Sequence, residues 1–201
     1  MDDRYTSFAE LAASQVEGLD YDRILVPRDS DIAVIAPHGG GIEQGTSEIA
    51  EAVAGRDCSL YCFKGTKRSG NRNLHIASTR FDDPECLALV RQSRVVVAIH
   101  GLEREDEAIS VGGLDESLKG RLLEALNEGG FEAREDRSHH SGTYPSNLCN
   151  RGVTGKGVQV EIPRGLRRTM FQSLDRRGRR CRKTPFHEFV SVIRDVLFSI
   201  Q

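Results

Sequence analysis

The chain predicts an α/β fold: an open, mixed but largely parallel sheet with helices on both faces. Two observations carry that prediction. Short apolar runs, DIAVIAP at 31–37 and VVVAIHG at 95–101, have the length and continuity of strands buried on both sides. Longer stretches with helical periodicity lie between such runs, and that alternation is the pattern of a parallel sheet. With 201 residues and no internal repeat, the chain is expected to form one domain over 1–201.

Each element has a local reason. Ser7 is placed to cap a helix over roughly 8–17 with Phe8, Leu11, Ala12 and Val16 on one face. A helix over about 44–54, stopped by Gly55, follows the 31–37 strand. CSLYCFK (58–64) and LHIAST (74–79) read as the next strands. Asp83-Pro84 starts a helix to about 92. Leu118, Leu122 and Leu126 make 115–128 an amphipathic helix ending at Gly129. FEARE (131–135) and GVQVEIP (157–163) read as later strands, and Thr184-Pro185 opens a last helix carrying Phe186, Phe189, Val190, Ile193 and Leu197 on one stripe. The polar, glycine-containing loops around 66–73 and 137–156 are the kind that carry substrate contacts.

Composition narrows the function classes. At 38% hydrophobic and 29% charged, the chain is an ordinary globular sequence, and no apolar run nears the roughly 20 residues of a membrane span. The start MDDRYTSFAE is not a secretory signal, which points to the cytoplasm. Five cysteines at 58, 62, 86, 149 and 181 match no structural zinc spacing and read as reduced thiols. Residues 164–183 hold nine basic side chains and one acid, so that stretch carries +8 and the remainder of this net −2 chain carries −10. A basic stretch on an acidic body suggests an anionic partner.

The chemistry gathers at strand ends. In APHGGGIEQGTSE, His38 closes a buried strand and Glu43 opens the next helix, with glycines between them for a sharp turn. His100 closes the strand VVVAIHG. If the two strands are parallel, both imidazoles lie at the carboxyl edge of the sheet, where α/β proteins bind ligands. Two histidines and a carboxylate form a common catalytic zinc set with a fourth position open for water. The plainer reading, hydrogen-bonded structural histidines and a Glu favoured by a helix dipole, stands beside it. Glu161 lies in the apolar strand VQVEIP, where Val158, Val160 and Ile162 take one face and Gln159 and Glu161 the other. A buried carboxylate there suits general-base work, and a solvated Glu on a two-sided strand is the alternative.

Taken in order, HGGGIE, LHIAST-RFDDP, VVVAIHG, NLCNRG and GKGVQVEIPRGLR resemble the phage-type poly-γ-glutamate hydrolases over about 5–200. The resemblance implies a three-layer α/β/α, zinc carboxypeptidase-like core. It implies one zinc held by His38, Glu43 and His100, with Glu161 as general base. It further suggests His75, Asn150, Arg151 and Arg164 as substrate contacts. Asn150-Arg151 is similar to the Asn-Arg pair that grips a carboxylate in carboxypeptidases, although here it follows the second histidine. The His38-to-Glu43 spacing is also longer than the H-x-x-E of peptidases proper.

The expected activity is therefore hydrolysis of γ-glutamyl amide bonds in an anionic polymer, the 164–183 arginines suiting such a polyanion. The same chemistry on a small N-acyl or γ-glutamyl amino acid is the alternative. A phage origin would add release on lysis to the cytoplasmic expectation. A nucleic-acid-binding replication accessory is disfavoured by overall acidity, 6% aromatics and the absence of any helix-turn-helix, zinc-finger or RNP pattern. His139-His140 read as surface or gate residues, His187 as structural, and Tyr144 as a possible donor in the loop before Asn150.

Overall fold

Seven strands make one sheet, in the order β1-β3-β2-β4-β7-β5-β6. The computed structural model describes residues 3–138 and 141–199, so the reading of His139-His140 lies outside the described residues. The strands are β1 (Tyr21–Val26), β2 (Ile32–Gly40), β3 (Ser59–Gly65), β4 (Val95–Leu102), β5 (Ile109–Gly113), β6 (Ala133–Glu135) and β7 (Val158–Pro163). β3, β2, β4 and β7 run parallel to one another, β1 pairs antiparallel with β3, and β5 pairs antiparallel with β7 and parallel with β6. The expected mixed, largely parallel sheet is thus present.

Helices cover both faces. On one side α2 (Thr46–Ala54), α4 (Glu116–Glu128), α5 (Arg164–Met170) and α6 (Thr184–Phe198) pack on Val34, Val97, Val160 and Ile162. On the other, α1 (Phe8–Ser14) and α3 (Pro84–Gln92) cover Ala33, Ile35, Val96 and Ala98 together with Leu148 and Cys149. Alternate residues of each central strand therefore enter different cores, which is why these strands read as continuous apolar runs.

Local chemistry sets the helix starts. Ser7 accepts from the Glu10 amide, and Asp83 accepts from the amides of Glu85 and Cys86. Thr184 is the first residue of α6 itself, and Lys183 holds the cap position. α1 ends at Ser14, leaving Ala12 and Val16 exposed instead of on the buried face.

Some expectations are corrected. LHIAST is not a strand: a 3-10 turn over Asn71–Leu74 leads into an irregular segment anchored by buried Leu74 and Ile76. Its alternating apolar residues serve a loop that packs on the core, where the period of two imitates a strand. β1, β5 and α5 carried no clear sequence signal. β1 is a half-buried edge strand, β5 is five residues ending in two glycines, and α5 lies in the arginine-rich stretch.

Candidate metal centre and catalytic site

β2 and β4 are parallel, so His38 and His100 meet at one sheet edge. The β2–β3 register shifts between Ala36 and Gly39. Pro37 has no amide to donate to the ladder, and the resulting bulge re-aims His38 within a strand that continues to Gly40. Gly40 has φ 67°, and a side chain there would collide with the Gly65 carbonyl, so the turn requires glycine. Glu43 lies in the turn before α2, not in its first turn, and its amide donates to the His38 carbonyl at 2.8 Å. The helix-dipole reading of Glu43 is thereby removed.

Three side chains converge. His38 Nδ1 lies 3.2 Å from His100 Nδ1 and 3.2 Å from Glu43 Oε1, and His100 Nδ1 is 3.6 Å from Glu43 Oε2. The outer ring nitrogens have partners of their own. His38 Nε2 donates to the Ile76 carbonyl at 2.8 Å, and His100 Nε2 lies 3.3 Å from Ser78 Oγ. A carbonyl only accepts, so a neutral His38 carries its lone pair on Nδ1, facing the centre. Glu43 Oε2 also accepts the Gly101 amide at 2.8 Å. Burial opposes the Glu43 charge, but His38 and His100 outweigh it and hold the carboxyl well below its usual range.

His75 joins this group from the irregular segment. Its Nε2 lies 4.0 Å from Glu43 Oε1, and its ring packs 4.0 Å from that of His38. His38, Glu43 and His75 also offer ligand atoms within 4.8 Å of one another, so two overlapping sets share His38 and Glu43. His100 brings its Nδ1 nearer to a Glu43 oxygen, 3.6 against 4.0 Å, whereas the His75 ring lies nearer to that of His38, 4.0 against 5.0 Å between centroids. His75 Nδ1 donates to Asp3 at 2.6 Å, and the neighbouring His38, with burial, pulls its pKa down to about 4. His75 is therefore neutral at pH 7, with an accepting Nε2.

Glu161 pairs in register with His100 on the adjacent strand and is 7% exposed. Burial, opposed by His100 and reinforced by Glu43 and Asp136, pushes its carboxyl up to about 7. Gln159 Nε2 donates to Glu161 Oε1 at 3.1 Å, and Asn147 donates to Gln159 Oε1 at 3.0 Å. A general base needs this combination of raised pKa and fixed orientation.

The remaining predicted residues sit apart from the centre. Asn150 gives its amide to the Gly142 and Tyr144 carbonyls and accepts from Leu114 and Gly157. Arg151 donates to the carbonyls of Ser146, Phe81 and Thr79. Both side chains hold the overlying loops in place. Arg164 pairs with Glu103 at 3.1 Å. Nor is the 164–183 stretch one basic face. Arg167 is fully buried, donating to the Ile162, Leu102 and Gln44 carbonyls, and Arg179 is buried against Glu48 at 2.8 Å. Tyr144 is exposed, and His187 stands against Phe186. Asp3, Ser78 and Asn147 gave no sequence signal, because their partners are far away in the chain.

The profile of the poly-γ-glutamate hydrolase family matches residues 5–192. The chain belongs to that family. A bacteriophage poly-γ-glutamate hydrolase superposes with a TM-score of 0.96 at 30% identity, covering 99% of this chain and 98% of the other. The UPF0714 protein YndL of Bacillus subtilis is 36% identical over 96% of this chain and 77% of its own. A zinc-free structure of YndL superposes with a TM-score of 0.94 over 99% of both chains. An N-formylglutamate amidohydrolase from Ralstonia eutropha shares only the fold, at TM-score 0.54 and 12% identity. As a member of the poly-γ-glutamate hydrolase family, the chain keeps the α/β/α sandwich on which HGGGIE and VQVEIP stand. No helix among the described residues is long and apolar enough to cross a membrane.

Proposed function

We propose that this chain is a zinc-dependent hydrolase of γ-glutamyl amide bonds, acting on poly-γ-glutamate. The observation that carries the reading is the convergence of His38 Nδ1, His100 Nδ1 and the Glu43 carboxylate beside a buried Glu161. His38 Nδ1 stands 3.2 Å from both His100 Nδ1 and Glu43 Oε1, close to the roughly 3.4 Å between neighbouring ligand atoms of a tetrahedral ion with bonds of about 2.0–2.1 Å, and the other Glu43 oxygen, Oε2, lies 3.6 Å from His100 Nδ1. The zinc-free form of YndL supports zinc as the metal, and we propose one ion per chain. When bound, the ion activates a water and polarises the scissile carbonyl.

The side chains divide the remaining work. Glu161 Oε2, with Oε1 held by Gln159, takes the proton of the attacking water and passes it to the leaving amine nitrogen. A carboxyl raised to about 7 is basic enough to accept that proton and acidic enough to return it. His75 Nε2, being an acceptor, takes a hydrogen bond from a substrate N–H. Ile76 and Ser78 fix the two imidazoles, and the Gly101 amide fixes Glu43.

Metal analysis of the purified chain, with polymer cleavage followed before and after chelation, tests the proposal. About one zinc per chain and chelator-sensitive cleavage are expected. A metal-free chain that cannot be reconstituted, or cleavage indifferent to chelation, would overturn it.

A further inference from the structure

One row of residues crosses the sheet beside the centre. His100 on β4 pairs with Glu161 on β7, Glu161 with Ser110 on β5, and Ser110 with Arg134 on β6. The neighbours Val160, Ile162, Ile109, Val111 and Ala133 pack into the core on the far side of the sheet. The row therefore shares the face on which Glu161 and His100 stand. At about 4.8 Å per strand, Arg134 lies two strands, roughly 10 Å, from Glu161 along the row.

A cavity of about 400 Å³ opens over the outer half of this row, with Leu102, Arg104, Ser110 and Arg134 in its wall. Its cations have capacity left. The exposed Arg134 guanidinium makes no direct hydrogen bond or close ion pair among the described residues, although its charge helps lower the pKa of Asp106. Arg104 binds Asp106 and the Ala108 carbonyl through Nη2, and its buried Nε has no partner. Two acids, Glu135 and Asp136, and a third arginine, Arg137, stand in the same wall. Glu135 faces Lys119 at 2.9 Å and Arg137 at 3.3 Å, and Asp136 accepts the Ser138 amide. A buried guanidinium N–H without an acceptor is costly, and an incoming carboxylate would satisfy it.

We propose that this cavity is a carboxylate subsite, in which Arg134 and Arg104 bind a free α-carboxylate of a γ-linked glutamate chain next to the bond being cut. The inference rests on the function proposed above and deepens it. A γ-linked chain carries each free carboxylate directly on Cα, whereas α-linked glutamate carries its free carboxylate two methylenes further out, so a subsite placed close to the backbone distinguishes the two. The subsite would thus select γ-linked over α-linked glutamate. It would also align the polymer along the row, across the strands from Arg134 towards Glu161.

The test uses the full-length chain carrying Glu161→Gln, so that a γ-linked tetraglutamate remains uncut while its binding is measured calorimetrically. Arg134→Gln and Arg104→Gln are compared in that background, with metal content recorded. Arg134 lies on the edge strand and is exposed, so its replacement leaves the core intact. The expected result is about tenfold weaker binding for Arg134→Gln at unchanged metal content, the usual scale for losing one charged hydrogen bond. A tetramer with carboxamides in place of its α-carboxylates should bind weakly and equally to both proteins. Tetraglutamate binding unaltered by Arg134→Gln would overturn the subsite alone. A parent that does not bind tetraglutamate, with a wild-type chain that leaves the polymer intact, would overturn the substrate reading and the subsite together.

Discussion

His38 Nδ1 and His100 Nδ1 face each other at 3.2 Å across neighbouring parallel strands, each imidazole tethered through its other nitrogen. With lone pairs on both, nitrogens at this distance would repel unless a proton or a cation lay between them. His38→Ala and His100→Ala should each purify without zinc, whereas His75→Ala should retain it. Metal analysis of the three variants checks this, and zinc lost only from His75→Ala would transfer the third ligand position to His75.

Glu161→Gln should keep zinc and lower kcat by about 10² to 10⁴, the usual worth of a general base. The sign of the pH dependence follows from the raised pKa. The base works as the carboxylate, so kcat/KM should rise with pH through the Glu161 pKa. Burial places that pKa at about 7 without a cation, and a bound dication favours the carboxylate, so the acidic limb should lie at or below about 7. In Glu161→Gln this limb should be absent from the residual rate.

Arg167 closes the frame of the site. Its guanidinium is fully buried and joins the Ile162, Leu102 and Gln44 carbonyls, and a side chain at Gly101 would stand 2.8 Å from its Cζ. Arg167→Met should cost about 3 kcal/mol in a denaturant titration, because it strands carbonyls on three segments. Arg167→Lys should recover only a small part, since an ammonium cannot reproduce the fork.

Asp3 anchors the irregular segment that carries His75, accepting from His75 Nδ1, the Ala77 amide and Arg80. Burial raises its pKa, but these partners more than offset it and leave it lowered. A depressed carboxyl stabilises the fold above its unfolded pKa of about 3.9, and that stabilisation is lost as pH falls through the folded value. Asp3→Asn should therefore cost about 1 kcal/mol near pH 7, and the difference from the parent should vanish in acid. Melting temperatures across pH 2–7 would show it.

Much of the centre was legible because apolar runs that break off at His38 and His100 leave a polar group where a ligand belongs. Glu161 stood out for the same reason, as a carboxylate among valines. The segment 74–79 misled because Leu74 and Ile76 are buried by packing, not by a ladder, and periodicity cannot separate the two. Arg151 and Arg167 looked alike in sequence as free cations. Their tasks depend on which carbonyls fold beside them, 70 to 123 residues away in the chain for some of the contacts.

β7 has a parallel neighbour on one side and an antiparallel neighbour on the other. His38 and His100 accordingly come from the carboxyl halves of their strands, whereas Ser110 and Arg134 lie close to where theirs begin. Different connections supply the two sides of Glu161. Of the segments that lead into β5 and β6, 103–108 is tied to the frame of the site, since Glu103 reaches Arg167 at 3.6 Å and Arg167 holds the Gln44 carbonyl beside Glu43. Residues 129–132 make no such tie among the described residues, so a designer could vary the approach to β6 while leaving the Glu43 turn as it stands.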